Sequence, residues 1–105
     1  MFFRLQWGRY SLEEMQNHVS EDGGDGWAEA GGLCACDSVS SLMANTVWTT
    51  DPRFTPGAEV IIFRGRKLVN IYDGVRVYPT EIVARMTVEE FMSKVEDGSI
   101  YEYED

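Results

Sequence analysis

His18 is the only histidine among 105 residues, so a histidine general base, nucleophile partner or metal ligand would have to be this side chain. Its surroundings supply no chemistry: it falls beside the apolar face of a short predicted helix and reads as a partly exposed histidine near a helix end. Cys34 and Cys36 are separated by one residue. A bridge between them would close a tiny strained ring. The spacing also lacks the two intervening residues of zinc knuckles and thioredoxin-like motifs, and no second cysteine pair completes a tetrahedral set. The expectation is two reduced thiols, both buried as small apolar groups. A spatial pairing of either thiol with His18 has no local sequence behind it.

Charged side chains offer two further kinds of chemistry. Glu21, Asp22 and Asp25 sit in a glycine-rich segment, as hard cations require, but without the alternating acids and distal glutamate of an EF-hand, so a solvated acidic loop is expected. No GxxxxGK[ST] or GxGxxG sequence is present to cradle a phosphate. Arg64, Arg66 and Lys67 flank Gly65 in a predicted turn, with Arg76 and Arg85 on a neighbouring outward face. Such a group is either an anion site for a nucleotide or phosphate, or the solvated side of a hairpin. Carboxylates collect near the C-terminus as Glu89, Glu90, Glu96, Asp97, Glu102, Glu104 and Asp105, interleaved with Tyr101 and Tyr103.

The elements that must position these groups are legible from periodicity and punctuation. FFRLQW (2–7) suits a first strand. Ser11 with Glu14 forms a capping box that opens a helix over 12–19, with Leu12, Met15 and Val19 on one face. Residues 20–32 hold five of the ten glycines and no periodicity, which makes them a long loop. Trp27 in its middle either folds that loop back onto the core or waits for a partner. Asp37 or Ser38 caps a second helix over 38–46, with Val39, Leu42 and Met43 inward. TTDPRFTPG (49–57) then makes an irregular connection. Four β-rich runs follow, AEVIIFRG, RKLVNIY, VRVY and EIVARM, punctuated by Gly65, Asp73-Gly74 and Pro79. Alternation turns Val75 and Val77 inward and Arg76 and Tyr78 outward, and puts Ile82, Ala84 and Met86 on the side opposite Val83 and Arg85. Thr87 with Glu90 opens a last helix whose apolar face is Val88, Phe91, Met92 and Val95, and Asp97-Gly98 closes it. SIYEYED (99–105) is expected to add an edge strand or to hang free.

The class that follows is α+β: an antiparallel sheet of four to five strands with two or three short helices, in one domain over 1–105. Thirteen aromatics and 44% hydrophobic residues suffice for a core. No apolar run approaches the roughly 20 residues of a membrane span, and the first residues are too briefly apolar for a signal peptide, so a cytoplasmic protein is expected. The formal net charge is -9, with 18 acids against 9 basic residues. That balance disfavours direct binding to nucleic acid or to an anionic membrane. It is also uneven: residues 11–37 carry seven acids and no Lys or Arg, and residues 87–105 carry seven acids against Lys94. Residues 53–85, by contrast, carry six basic side chains and three acidic ones.

GLCACDSVSSLMAN (32–45), EVIIFRG (59–65) and DGVRVYPTEIVARMTVEEF (73–91) together resemble a pattern found in small uncharacterised actinobacterial and phage proteins. The strand layout, with Arg4 in the first strand, is similar to that of mono-ADP-ribosyltransferase-like folds. That resemblance implies a nucleotide pocket, but the late-strand catalytic glutamate motif has no match here, and no catalytic residue is carried over. Two functional expectations stand. The first is a non-enzymatic module, of the kind of a phage inhibitor or nucleic-acid mimic, that binds a basic host protein through Glu89, Glu90, Glu96, Asp97, Tyr101, Glu102, Tyr103, Glu104 and Asp105. The alternative is a nucleotide- or phosphate-binding or ADP-ribosyltransferase-like domain that uses Arg4, Trp27, Arg64 and Arg66. Neither reading calls for a metal or cofactor.

Overall fold

The computed structural model describes residues 1–7, 9–17, 31–45, 57–71 and 74–104, the side chains of Trp7 and Asn45 excepted. The order is β1 (Phe2–Trp7), α1 (Leu12–Asn17), β2 (Leu33–Ala35), α2 (Val39–Asn45), β3 (Ala58–Ile71), β4 (Gly74–Thr87), α3 (Val88–Asp97) and a 3-10 turn (Ser99–Tyr103). The strands form one antiparallel sheet in the order β1-β3-β4-β2, which is the expected α+β architecture. His18, Val19, Glu21, Asp22, Asp25, Trp27, the connection from Thr46 to Pro56, Asp73 and Asp105 lie outside the described residues.

The helices start where their sequence says they should. Ser11 Oγ accepts from the Glu14 amide at 3.1 Å while the Glu14 carboxylate accepts from the Ser11 amide at 3.2 Å, a complete capping box. Ser38 Oγ accepts from Ser41 N at the head of α2, and Thr87 Oγ1 accepts from Glu90 N at the head of α3. Gly98 ends α3 in the left-handed conformation, φ 84°, where a side chain would be strained.

Both faces of the sheet are covered. Phe3, Val60, Ile62 and Met86 pack on one face with Val39 and Leu42 of α2, Val88 and Phe91 of α3, and Ile100. Ile61, Phe63, Val75, Val77, Leu33 and Ala35 pack on the other with Met15 of α1. Phe3 and Cys36 exchange both backbone hydrogen bonds at 2.8 Å, so the first strand also meets the residue that follows β2, the strand at the opposite edge. The sheet therefore curls back on itself.

Several expectations are corrected. The four β-rich runs are two strands of 14 residues, and Gly65 is no turn: it lies within β3 opposite Pro79. A Cβ at Gly65 would stand 2.5 Å from Tyr78 O, so glycine here permits close approach of backbones. Pro79 is accommodated at a register shift and beyond the last β2 pairing, Leu33 with Val77. A second shift, between Ile62 and Phe63, admits Val83 as an extra residue. In consequence Ile82 joins the second cluster while Ala84 and Met86 pack against the first, so the expected common face of these three is broken.

Arg76 points away from Val75 and Val77, as alternation requires, but it is fully buried and donates from NH1 to Gly32 O at 3.2 Å. The outward side of β4 at this position is not solvent. Tyr78 does stay exposed. Cys36 is buried and Cys34 half-buried, both as thiols. The C-terminal segment neither adds a strand nor hangs free: Ile100 is fully buried, and the Glu104 carboxylate accepts from the Val39 amide at the start of α2.

Candidate functional site

The acidic C-terminal residues form a presented surface. Val88, Phe91, Met92 and Val95 turn α3 onto the sheet, which leaves Glu89, Glu90, Ser93, Glu96 and Asp97 on the exposed arc of the helix. Lys94 is the single cation of the element and is half-buried. Asp97 Oδ1 accepts from Ser99 N at 2.8 Å, and the hydrogen bonds from Ser99 hold its carboxyl below the ordinary value, with Lys94 adding a smaller effect in the same direction. The turn that follows exposes Tyr101 (46% accessible) and Glu102 while Ile100 anchors it from beneath.

Of the nine residues expected to meet a partner, six therefore share this ridge: Glu89, Glu90, Glu96, Asp97, Tyr101 and Glu102. Tyr103 packs against the first core cluster, and Glu104 is engaged with Val39, so both serve the fold. Asp105 lies outside the described residues.

The basic residues do not come together as one patch. Arg64 pairs with Glu81 across the hairpin at 3.3 Å, with both side chains more than half exposed. Arg66 lies over the Tyr78 ring, 5.8 Å from its centroid, and Lys67 is exposed beside it. Arg76 is buried elsewhere. Arg4 faces the opposite side of the sheet from Arg64, in register with Ile61, while Arg64 lies beyond the last β1 pairing, Phe2 with Phe63. The set Arg4, Arg64, Arg66 is thus divided, and Trp27 lies outside the described residues.

Arg4 instead belongs with three residues, two of which, Gln6 and Glu59, sequence reasoning had not singled out. Arg4 donates from Nε to Gln6 Oε1 at 3.3 Å and from NH1 to Cys34 O at 2.7 Å. Gln6 Nε2 donates to Glu59 Oε1 at 2.9 Å, and Arg85 NH1 forms an ion pair with the same oxygen. Gln6 is only 2% accessible, and the Glu59 and Arg85 side chains are 15% and 18% accessible. The available signal was Arg4 and Gln6 alternating with Phe3 and Leu5: polar residues at every second position of a strand that is covered on both faces.

No protein-family model matches this chain, and no curated protein or solved structure is significantly similar to it. No group of three or more His, Cys, Asp or Glu side chains among the described residues is placed to hold a metal ion. No helix among them is long and apolar enough to cross a membrane.

Proposed function

We propose that this chain is a protein-interaction module that docks on a basic protein surface through the ridge formed by α3 and the 3-10 turn. One observation carries the reading: five exposed carboxylates, Glu89, Glu90, Glu96, Asp97 and Glu102, and the exposed ring of Tyr101 are presented by two consecutive elements fixed at both ends. Rigid presentation lowers the ordering cost of binding, and an aromatic amid charges supplies an anchor. Clustered charge of one sign accelerates encounter with an opposite surface by roughly 10 to 10³ at low salt. A net charge of -9 repels nucleic acid itself, so the partner is a protein whose basic surface otherwise receives nucleic acid.

The test is capture of a basic protein from host lysate by the wild-type chain and by the triple variant E89K/E96K/E102K. The expected result is a protein released as salt rises from about 0.01 to about 0.15 M, displaced by duplex DNA, and lost with the variant. Capture that ignores both salt and charge reversal overturns the reading.

A further inference from the structure

β3 is 14 residues long, but β1 pairs only with Ala58–Phe63 of it. From Arg64 to Ile71 the strand has β4 on one side and, among the described residues, no strand on the other. This stretch is open to water on both faces. Alternation sends neighbouring side chains to opposite faces of a sheet, yet the successive residues Arg66, Lys67 and Leu68 are all exposed.

The direction in which its backbone points follows from the pairing. Phe3 exchanges both of its backbone hydrogen bonds with Cys36, and hydrogen-bonding direction alternates along an antiparallel strand, so Phe2 and Arg4 turn theirs to Phe63 and Ile61 of β3. The register shifts at Ile62/Phe63 and Arg64/Gly65 place their extra residues in β4, which leaves the alternation of β3 unbroken through Lys67. Arg64 therefore turns toward β4, where its carbonyl accepts from Thr80 Oγ1 at 3.3 Å, and Gly65 and Lys67 turn their amides and carbonyls away from β4, to the edge.

Charge limits what can pair there. RGRKLVNI (64–71) carries three cations and no acid, within a chain of net charge -9. A second copy of the chain would bring the same cations to the same edge, and lysine on an edge strand is a known barrier to such self-pairing. An acidic strand meets no such barrier. The ion pair of Arg64 with Glu81 is exposed at both ends and so is readily exchanged for another carboxylate. Tyr78, under Arg66, and Leu68 are both 38% accessible and add apolar surface beside the cations.

We propose that the edge of β3 from Arg64 to Ile71 receives an extended acidic segment of another protein by strand addition. The backbone of the segment pairs with Gly65 and Lys67, and carboxylates at every second position meet Arg64 and Arg66 on one face. Backbone pairing supplies the geometry, and the cations select an acidic sequence. The edge shares no residue with the acidic ridge, and its use does not depend on the ridge having a partner.

The experiment titrates the full chain with an acetylated and amidated octapeptide in which Glu and Val alternate. Controls are the same peptide with alternate amides N-methylated, the corresponding Lys-Val peptide, and single-stranded oligothymidylate. Calorimetry reads binding, and amide hydrogen exchange reads the edge. The Gly65 and Lys67 amides are expected to exchange freely in the chain alone and to be slowed about tenfold or more by the Glu-Val peptide. N-methylation, which keeps the charges and removes backbone donors, should abolish binding, and the Lys-Val peptide should not bind. R66E/K67E should weaken the Glu-Val peptide by about tenfold or more, whereas E89K/E96K/E102K should not weaken it. The proposal is overturned if the Gly65 and Lys67 amides are already protected in the monomeric chain, or if self-association or oligothymidylate protects them and the peptide does not. It is equally overturned if the Glu-Val peptide fails to bind at about millimolar concentration, or binds as well when N-methylated or to R66E/K67E.

Discussion

A single hydrogen atom decides the path of the longest hairpin. Gly65 sits where β3 lies close against β4, with Tyr78 O 2.5 Å and Val77 Cγ1 2.6 Å from the place a Cβ would occupy. The nearer obstacle is backbone, which cannot rotate aside. Gly65→Ala is expected to cost about 1–3 kcal/mol in urea unfolding, and an unchanged midpoint would show that the strands have slack here. The sequence marks this glycine as punctuation, and a turn is the ordinary inference; only the partner strand reveals that it marks close approach. Arg76 teaches a related limit. Alternation gives the side of the strand on which it lies, but whether that side meets water depends on what packs there, which is a property of the other elements.

Caps and helix faces were the most legible elements, because Ser11 with Glu14, Ser38, and Thr87 with Glu90 act within four residues of sequence. The hairpin was legible too, whereas its three register shifts were not: an inserted residue such as Val83 reverses the alternation beyond it, and nothing local announces it. The C-terminal turn was misread for the same reason. SIYEYED alternates as a strand does, but burial of Ile100 against α3 and α2 and the reach of Glu104 to Val39 N favour a 3-10 turn. Neighbouring residues of this turn should therefore behave oppositely. Ile100→Ala is expected to cost about 2–5 kcal/mol in chemical denaturation. Tyr101→Ala, at an exposed position, should stay within about 0.5 kcal/mol and weaken partner binding instead. Equal destabilisation by the two would contradict the anchoring role given to Ile100.

At the scale of the whole molecule, the charge imbalance works against compactness. Eighteen acids against nine basic residues repel one another more strongly when folded than when the chain is expanded. Raising salt from about 0.01 to about 0.15 M shortens the screening length from about 30 to about 8 Å. The Tm is expected to rise by about 4 °C or more, equivalent to about 1 kcal/mol. A Tm that falls with salt would mean that local ion pairs such as Arg85 with Glu59 outweigh the general repulsion. The division of charge between an acidic C-terminal ridge and basic strands was visible in composition. The quartet of Arg4, Gln6, Glu59 and Arg85 was not, because it is assembled from three strands that only the fold makes neighbours. The same long-range assembly bears on how the protein is made. β1 leaves the ribosome about fifty residues before β3, yet its ladder lies on residues 58–63 and its bridge on Cys36. With synthesis at about 5–20 residues per second, FFRLQW waits seconds for its partner strand, an aromatic segment unsheltered during translation and the stretch from which a chaperone has most to gain by holding it.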